Sequence, residues 1–436
     1  MNDRDLKTIR LQTVGCRLNQ YETEKIGAEL YPYGFRQAGK NESADLTIIN
    51  TCTVTHRADS DSRYLLRRAH RKSPEGRIIA VGCYVEHDPE RLSAIEGVDM
   101  LIDNTEKADI VNILRRKFPD LFTREPDGDY VNGIGQFINR NRTWMKISDG
   151  CNQKCTFCLV TIVRGPLINR SASEIIVEVN KLASLGYREL VLTGINIGYY
   201  RDKERKPNVK NLAELCKLIL SETDMYRIRL SSVEPQAITD DLLDVLANSD
   251  GRLCRNLHLP LQSASDSILS LMRRPYNRAK FLERTSAIRQ ASPDTLIGAD
   301  TIVGFPGETE NDFEQTLSLC ESGAVDYLHV FSYSDRPGTA AAEMPNKVKP
   351  ETIRNRNKTL RAISHRMLTG VYQHQVGKTL EVISEHKSNS EGSHFAISDN
   401  YLRVKLPSGV ETGREIVRVK ILAAKEDYLE SDLITI

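Results

Sequence analysis

An α/β fold in three parts is predicted by the way apolar runs and helical patterns alternate along these 436 residues. Three observations carry the prediction. β-Branched apolar runs recur about one βα unit apart in the first part, six further strand-like runs alternate with helical patterns in the middle, and short stretches of period-two alternation end the chain. The expected boundaries are 1–135, 136–370 and 371–436. The first part reads as a doubly wound parallel sheet, the second as six βα repeats and the third as a small antiparallel β-barrel.

In the first part the segments Ile9 to Cys16, Leu46 to Cys52 and Arg77 to Cys83 each begin as a buried strand and end at a cysteine. Helical patterns from Glu22 to Leu30 and from Ala58 to His70 separate them. The intervals between the cysteines are 36 and 31 residues, one βα unit each, and in a parallel sheet all strand C-termini lie along one edge. Cys16, Cys52 and Cys83 are therefore expected to converge. A single buried cysteine at a strand end is commonly inert packing; three at the same phase of successive units point to a ligand set, read as three ligands of a 4Fe-4S cluster with one iron left open. A turn at Glu125 to Asp129 marks the approach to the first boundary.

The middle strands are Trp144–Ile147, Glu189–Leu192, Tyr226–Leu230, Leu257–Leu259, Ile297–Ile302 and Tyr327–Val330. Those of the last part include Leu380–Ile383, Leu402–Leu406 and Ile416–Ile421. With 40% hydrophobic residues the chain can bury a full core. Lys and Arg number 60 against 59 Asp and Glu, so the global charge names no partner. No run of about 18 apolar residues is present, which excludes a membrane span. The charged N-terminus lacks the apolar centre of a signal peptide. Nine cysteines without an export signal read as thiols and metal ligands in a reducing cytoplasm.

Cys151, Cys155 and Cys158 form a C-x3-C-x2-C run with Gly150 before it and Phe157 before the third cysteine. Three thiolates from one tight loop can hold three corners of a 4Fe-4S cluster and leave the fourth iron for chemistry. The alternatives are zinc and inert packing. Zinc wants four closing ligands, and neither a second C-x2-C nor an H-x3-5-H follows; the polar flanks argue against an apolar core.

The loop resembles that of the radical S-adenosylmethionine superfamily. With the three earlier cysteines, the whole chain resembles the methylthiotransferase family within it. The resemblance rests on Gly15-Cys16-Arg17-Leu18-Asn19-Gln20-Tyr21-Glu22-Thr23-Glu24, Asn50-Thr51-Cys52 and Val81-Gly82-Cys83-Tyr84. It also rests on Leu192 to Asn196, Ser231 to Pro235, Leu259 to Ser263 and Asp300 to Glu308. It implies a partial (βα)6 radical barrel and a C-terminal TRAM-like domain. It further implies two 4Fe-4S clusters, one auxiliary and one catalytic. S-adenosylmethionine on the open iron of the Cys151/Cys155/Cys158 cluster would give a 5′-deoxyadenosyl radical that takes hydrogen from the substrate. A second S-adenosylmethionine would methylate sulfur carried at the Cys16/Cys52/Cys83 cluster. Both clusters would have to serve one cavity, because an unquenched radical cannot travel.

Carried over by motif, Thr193, Gly194, Ser231, Glu234, Gln262 and Asp300 would line the cofactor pocket, although Glu234 or Asp300 could equally be an ordinary capping carboxylate. The Asn19-Gln20-Tyr21 phrase, Asp300 and Met272-Arg273-Arg274-Pro275-Tyr276 are similar to the branch acting on N6-threonylcarbamoyladenosine beside the tRNA anticodon, and Arg273 and Arg274 would face its carboxylate. Arg164-Gly165-Pro166-Leu167-Ile168-Asn169-Arg170 keeps only Arg164, Gly165 and Arg170 of the family phrase. Arg67 and Arg68 lie in a run from Arg63 to Lys72 with five basic and no acidic residues; a solvated helix face is its plain reading and a phosphate track the functional one. Residues 371–436 hold eight basic and ten acidic residues, so a TRAM-like barrel here is not basic overall. The implied partners are the anticodon stem-loop of tRNA, an electron donor such as flavodoxin or ferredoxin, and a sulfur donor. Rival functions are methylthiolation of N6-isopentenyladenosine or of a ribosomal aspartate, and, more distantly, a non-catalytic iron-sulfur protein. Cys216, Cys254 and Cys320 read as packing.

Overall fold

The computed structural model describes residues 6–122, 124–126, 141–202, 209–385, 394–407, 410 and 413–434. The boundary expected at 135 and residues 127–129 of the expected turn lie outside the described residues. The chain divides into two compact units. One comprises the residues up to 138 with 149–153 and 158–167; the other comprises 139–148, 154–157 and 168–436.

In the first unit the elements run β1 (Lys7–Thr13), α1 (Arg17–Leu30), β2 (Phe35–Gln37), β3 (Leu46–Thr51), α2 (His56–Lys72), β4 (Arg77–Gly82), α3 (Cys83–His87), β5 (Met100–Ile102) and α4 (Ile110–Lys117). The sheet is parallel throughout, in the order β2-β1-β3-β4-β5. Period two divides its strands between two cores. Ile48 and Ile79 pack with Ile26, Leu30 and Leu114 on one face, and Ile49 and Ile78 pack with Leu66 and Ala69 of α2 on the other. Apolar residues on both faces explain why these strands read as unbroken β-branched runs. Thr55 caps α2, its hydroxyl accepting from the Ala58 amide at 3.2 Å.

The second unit begins with β6 (Arg142–Lys146), α5 (Ala172–Ser184), β7 (Glu189–Thr193), α6 (Leu212–Glu222), β8 (Arg227–Leu230), α7 (Asp240–Asn248), β9 (Asn256–Gln262), α8 (Arg278–Ala291), β10 (Leu296–Val303), α9 (Glu310–Glu321) and β11 (Tyr327–Ser332). β6, β7 and β8 form one three-stranded parallel sheet and β9, β10 and β11 another. Ile228 and Val233 bridge them, through Cys254 N to Ile228 O at 2.8 Å and Val233 N to His258 O at 2.9 Å. Six parallel strands thus follow chain order, as expected of an open (βα)6 barrel. After α10 (Pro350–Gln373), β12 (Thr379–Ser384), β13 (Phe395–Ser398), β14 (Arg403–Lys405), β15 (Ile416–Ala424) and β16 (Leu429–Leu433) close into a barrel. Four of its pairings are antiparallel; β14 and β16 pair in parallel.

This small barrel shares a unit with the six-stranded sheet system because buried groups tie them together. Leu296, Tyr327 and Tyr372 join Leu380, Val382, Val404 and Val419 in one core. Glu189, fully buried, binds Arg227 Nη2 at 2.6 Å and Arg229 Nε at 2.9 Å. The same guanidiniums donate to the carbonyls of Ile397, Ser398 and Asp399 on the small barrel. Burial opposes the Glu189 charge, but Arg229 and Arg227 outweigh it and hold the carboxyl well below the usual carboxylate range. Its contribution is therefore full at neutral pH and is lost as pH falls through that depressed value. Glu189→Ala would leave two buried guanidiniums without their counter-ion, at a cost of about 3–5 kcal/mol. It is expected to lower the thermal unfolding midpoint far more than Glu283→Ala, which removes an exposed pair; equal midpoints would show that the guanidiniums are adequately held by carbonyls alone.

Candidate functional site

Parallel pairing of β1, β3 and β4 sets the first site. Cys16 stands at the start of α1, Cys52 directly follows β3 and Cys83 directly follows β4, so the three cysteines lie at adjacent strand ends as expected. Two glycines make the approach possible. Gly15, at φ +100°, lies so close to Cys52 that a Cβ there would stand 2.7 Å from its Sγ. Gly82, at φ +99°, would put a Cβ 2.4 Å from Asn50 Oδ1. Cys52 lies within electrostatic reach of both Cys16 and Cys83. Cys52 and Cys83 are buried, while Cys16 is exposed. Burial pushes the Cys52 thiol up to about 12 and also raises Cys16. Burial works against the thiolate form at Cys52 and Cys16, and a cationic cluster is the partner that offsets it. The donor set fits a 4Fe-4S cluster with three protein ligands.

Arg164 belongs to this site. Its Nε donates to Cys83 Sγ at 3.2 Å, Nη1 to Glu22 Oε1 at 2.9 Å and to Asp149 Oδ1 at 3.0 Å, and Nη2 to Asn19 Oδ1 at 2.6 Å. The guanidinium is 2% exposed, so every donor is spent inside the unit. Behind it, Lys107 Nζ binds Glu22 Oε2 at 2.7 Å. Asn19 Nδ2 holds the carbonyls of Val14 and Thr51 on the first two cysteine loops, and Asn104 Nδ2 approaches Cys83 Sγ at 3.7 Å. Sequence reasoning kept Arg164 as a phrase remnant and read Asn19 as a mark of substrate choice; the fold gives both to the cysteine site. Glu22 and Asn50 stood in the quoted phrases without a role, and Lys107 and Asn104 had no local signal at all.

The C-x3-C-x2-C loop is divided between the units. In the first unit, Gln153 N donates to Cys151 Sγ at 3.3 Å and Val160 N to Cys158 Sγ at 3.4 Å. Backbone amides thus donate to two of the three loop sulfurs. Gly150 is required by close approach, since a Cβ would lie 2.0 Å from Pro166 O. In the second unit, Cys155 Sγ accepts from Arg274 Nη1 at 3.0 Å. Arg274 also pairs with Glu234 through Nη2, donates from Nε to Tyr276 at 3.1 Å and stacks over that ring at 4.9 Å. All its nitrogens are engaged. Arg273, by contrast, is exposed and has φ +53°.

Thr193, Gly194, Ser231 and Gln262 all stand at C-terminal strand ends of the six-stranded system, and Glu234 follows three residues after Ser231. The hydroxyls of Ser231 and Ser148 are buried without a hydrogen-bond partner among the described residues, and a Cβ on Gly194 would strike Ser148 Oγ at 2.3 Å. Gln262 adopts φ +62° at a register shift in β9, a strained conformation for a residue with a side chain. Orphaned hydroxyls, a glycine cradle and a strained polar residue along one rim fit a polar cofactor. Asp300 differs: it lies inside β10, with Oδ1 2.8 Å from His258 Nε2 and 3.6 Å from His329 Nδ1. Arg67 and Arg68 point to solvent from α2. Cys216, Cys254 and Cys320 are buried, and burial pushes each thiol up to about 12, as packing residues should behave.

Residues 145–320 match the model of the Radical SAM superfamily, and residues 8–103 match that of Uncharacterized protein family UPF0004. The chain is 34% identical to Threonylcarbamoyladenosine tRNA methylthiotransferase MtaB of Bacillus subtilis, over 99% of this chain and 97% of the relative. It is 31% identical to the same-named protein of Aquifex aeolicus, over 95% and 100%. It is 32% identical to tRNA-2-methylthio-N(6)-dimethylallyladenosine synthase of Carboxydothermus hydrogenoformans, over 98% and 99%. Among solved structures, the radical S-adenosylmethionine methyltransferase TsrM of Kitasatospora setae, with cobalamin and a [4Fe-4S] cluster bound, superposes with TM-score 0.56 at 12% identity, over 77% of each chain. That likeness shows the fold. Similarity along nearly the full length of both proteins makes this chain a member of the radical S-adenosylmethionine methylthiotransferase family.

Proposed function

We propose that the chain adds a methylthio group to carbon 2 of N6-threonylcarbamoyladenosine at position 37 of tRNA, using two 4Fe-4S clusters and S-adenosylmethionine. The observation that carries the reading is the convergence of Cys16, Cys52 and Cys83 on adjacent strand ends, in a chain that also holds the C-x3-C-x2-C loop. One three-cysteine set would suffice to cleave S-adenosylmethionine; a second, with its own buried counter-charges, is what sulfur delivery requires. When bound, the clusters supply reductive cleavage of S-adenosylmethionine and a seat for sulfur. The substituent is chosen from the relatives named for threonylcarbamoyladenosine, although relatives named for dimethylallyladenosine reach similar identity.

The residues of the chain divide the remaining work. Cys151, Cys155 and Cys158 hold the catalytic cluster, and Arg274 fixes the Cys155 sulfur while neutralising Glu234. Its donors are committed, so we assign it to positioning instead of to the substrate carboxylate. Thr193, Gly194, Ser231, Glu234 and Gln262 form the cofactor rim. Arg67, Arg68 and Arg273 are exposed and suited to phosphates of the anticodon stem-loop, from which the modified adenosine must flip to react. An external electron donor such as flavodoxin or ferredoxin and a sulfur donor complete the system.

Anaerobic reconstitution is expected to give about eight irons per chain, and about four after Cys151, Cys155 and Cys158 are changed together to Ala. Zinc in place of iron would refute the assignment. The matching triple change of Cys16, Cys52 and Cys83 should still cleave S-adenosylmethionine reductively while forming no methylthio product. Nucleoside mass spectrometry after reaction with tRNAs bearing either substituent tests the substrate: at least about tenfold preference for the threonylcarbamoyl form is expected, and equal turnover would place the chain on the other branch.

Arg164 yields a separate prediction. Hydrogen bonds to cluster sulfurs stabilise the reduced state and raise its potential. In the variant lacking Cys151, Cys155 and Cys158, Arg164→Gln should therefore shift the remaining cluster to a more negative potential in an EPR-monitored titration, with Arg164→Lys between the two. An unchanged potential would mean that Arg164 serves folding only.

A further inference from the structure

We propose that His258, Asp300 and His329 form a binding site for one divalent transition-metal ion of the zinc, cobalt or iron(II) class, separate from both cysteine sets. The sheet register places the three residues together. Asp300 of β10 pairs with His329 of β11, while Gly298 pairs with both His258 of β9 and Tyr327 of β11. Side chains alternate along strands, so His258, Asp300, Tyr327 and His329 share one face. One ligand atom from each of the two histidines and the aspartate lies within 4.8 Å of the others.

The orientation of the rings favours a metal over a simple hydrogen-bonded triad. His258 Nε2 and His329 Nδ1 both face the same carboxylate oxygen of Asp300, at 2.8 and 3.6 Å. The second distance is too long for a hydrogen bond, and His329, with 55% of its side chain exposed, had water available instead. The two imidazoles lie 4.7 Å apart between centroids. Among the described residues, these imidazoles are the only groups of cationic capacity in ion-pair reach of Asp300, so no Lys or Arg competes for the carboxylate.

The surroundings have the character of a built pocket. Tyr327 lies against both rings, 6.0 Å from His258 and 5.4 Å from His329. It can do so because Gly298 has no side chain: a Cβ there would sit 2.2 Å from Tyr327 Cζ. His258 and Asp300 are 12% and 22% exposed, which leaves the His329 side open to solvent. Two imidazoles and one carboxylate suit borderline ions better than magnesium or calcium, and three protein ligands leave positions for water or a substrate oxygen. This assignment takes Asp300 out of the S-adenosylmethionine rim and does not depend on the identity of the modified nucleoside.

The test uses the full chain with both clusters loaded, so that the six cluster cysteines are occupied. Zinc(II) is titrated under anaerobic conditions, and zinc and iron are counted separately after dialysis. One zinc per chain beyond the cluster iron is expected, with X-ray absorption at the zinc edge showing imidazole and oxygen ligands. His329→Ala and Asp300→Asn should each weaken zinc binding at least about tenfold while leaving the iron content unchanged, which certifies the fold. A sulfur shell around zinc, equal affinity in wild type and His329→Ala, or no retained zinc in the wild type would overturn the proposal.

Discussion

Gathering three sulfurs at one buried strand edge is unfavourable until positive charge is supplied, and the first unit is organised around that constraint. Cys52 and Cys83 are shut from water, and burial alone would keep the Cys52 thiol protonated. The fold places one guanidinium, Arg164, in contact with Cys83 and spends the rest of its donors on Glu22, Asp149 and Asn19. Lys107 then balances Glu22 from behind. Two cations and two carboxylates cancel locally, so an incoming cluster meets a neutral, preorganised surround. Losing any one member would leave a buried charge unmatched, a far larger penalty than losing a surface pair.

The same reasoning explains why Arg274 and Arg164 look alike in sequence terms and yet belong to different parts of the chain. Each is a buried arginine with one nitrogen on a ligand sulfur and another on a glutamate. A guanidinium can bridge sulfur and carboxylate in one plane, whereas a lysine would satisfy only one at a time. The six cysteines thus carry two recurrent arginine devices, one in each unit. Arg274 adds stacking on Tyr276, whose hydroxyl is in turn anchored on the carbonyls of Pro260 and Leu261 beside the strained Gln262. A position on the cofactor rim is thereby tied to the Cys155 sulfur through three consecutive contacts.

Much of the architecture was legible in the sequence because local pattern and tertiary role agreed. Strands buried on both faces read as β-branched runs, cysteines at equal phase read as one edge, and period-two alternation read as the terminal barrel. What escaped were residues whose meaning depends on distant partners. Lys107 looks like a surface lysine, and nothing near it in sequence announces Glu22. Arg227 and Arg229 alternate with apolar residues in a strand that periodicity reads correctly, but only the fold reveals that both arginines point to Glu189 and to carbonyls of the small barrel. That linkage also explains why residues after 371 belong to the same compact unit as the six-stranded system. The parallel β14–β16 pairing was likewise invisible, since alternation specifies which face a residue takes but not the direction of its neighbour.

Asp300 shows how a motif can leave a residue's partners unstated. Its strand ends on the cofactor rim, and the motif beginning at Asp300 was read as a whole. Yet Asp300 lies three positions before the end of β10, where register, not chain order, selects its neighbours. Those neighbours are His258 and His329, one from each flanking strand, and the glycine at 298 clears the space that lets Tyr327 lie against them. Burial opposes the charge on Asp300, and the two imidazoles beside it outweigh that and hold its carboxyl below the usual range. A carboxylate that stays ionised inside a barrel, with two imidazoles turned toward one of its oxygens, is defined by three strands at once. No single stretch of sequence contains that information, because parallel strands bring together residues separated by whole βα units.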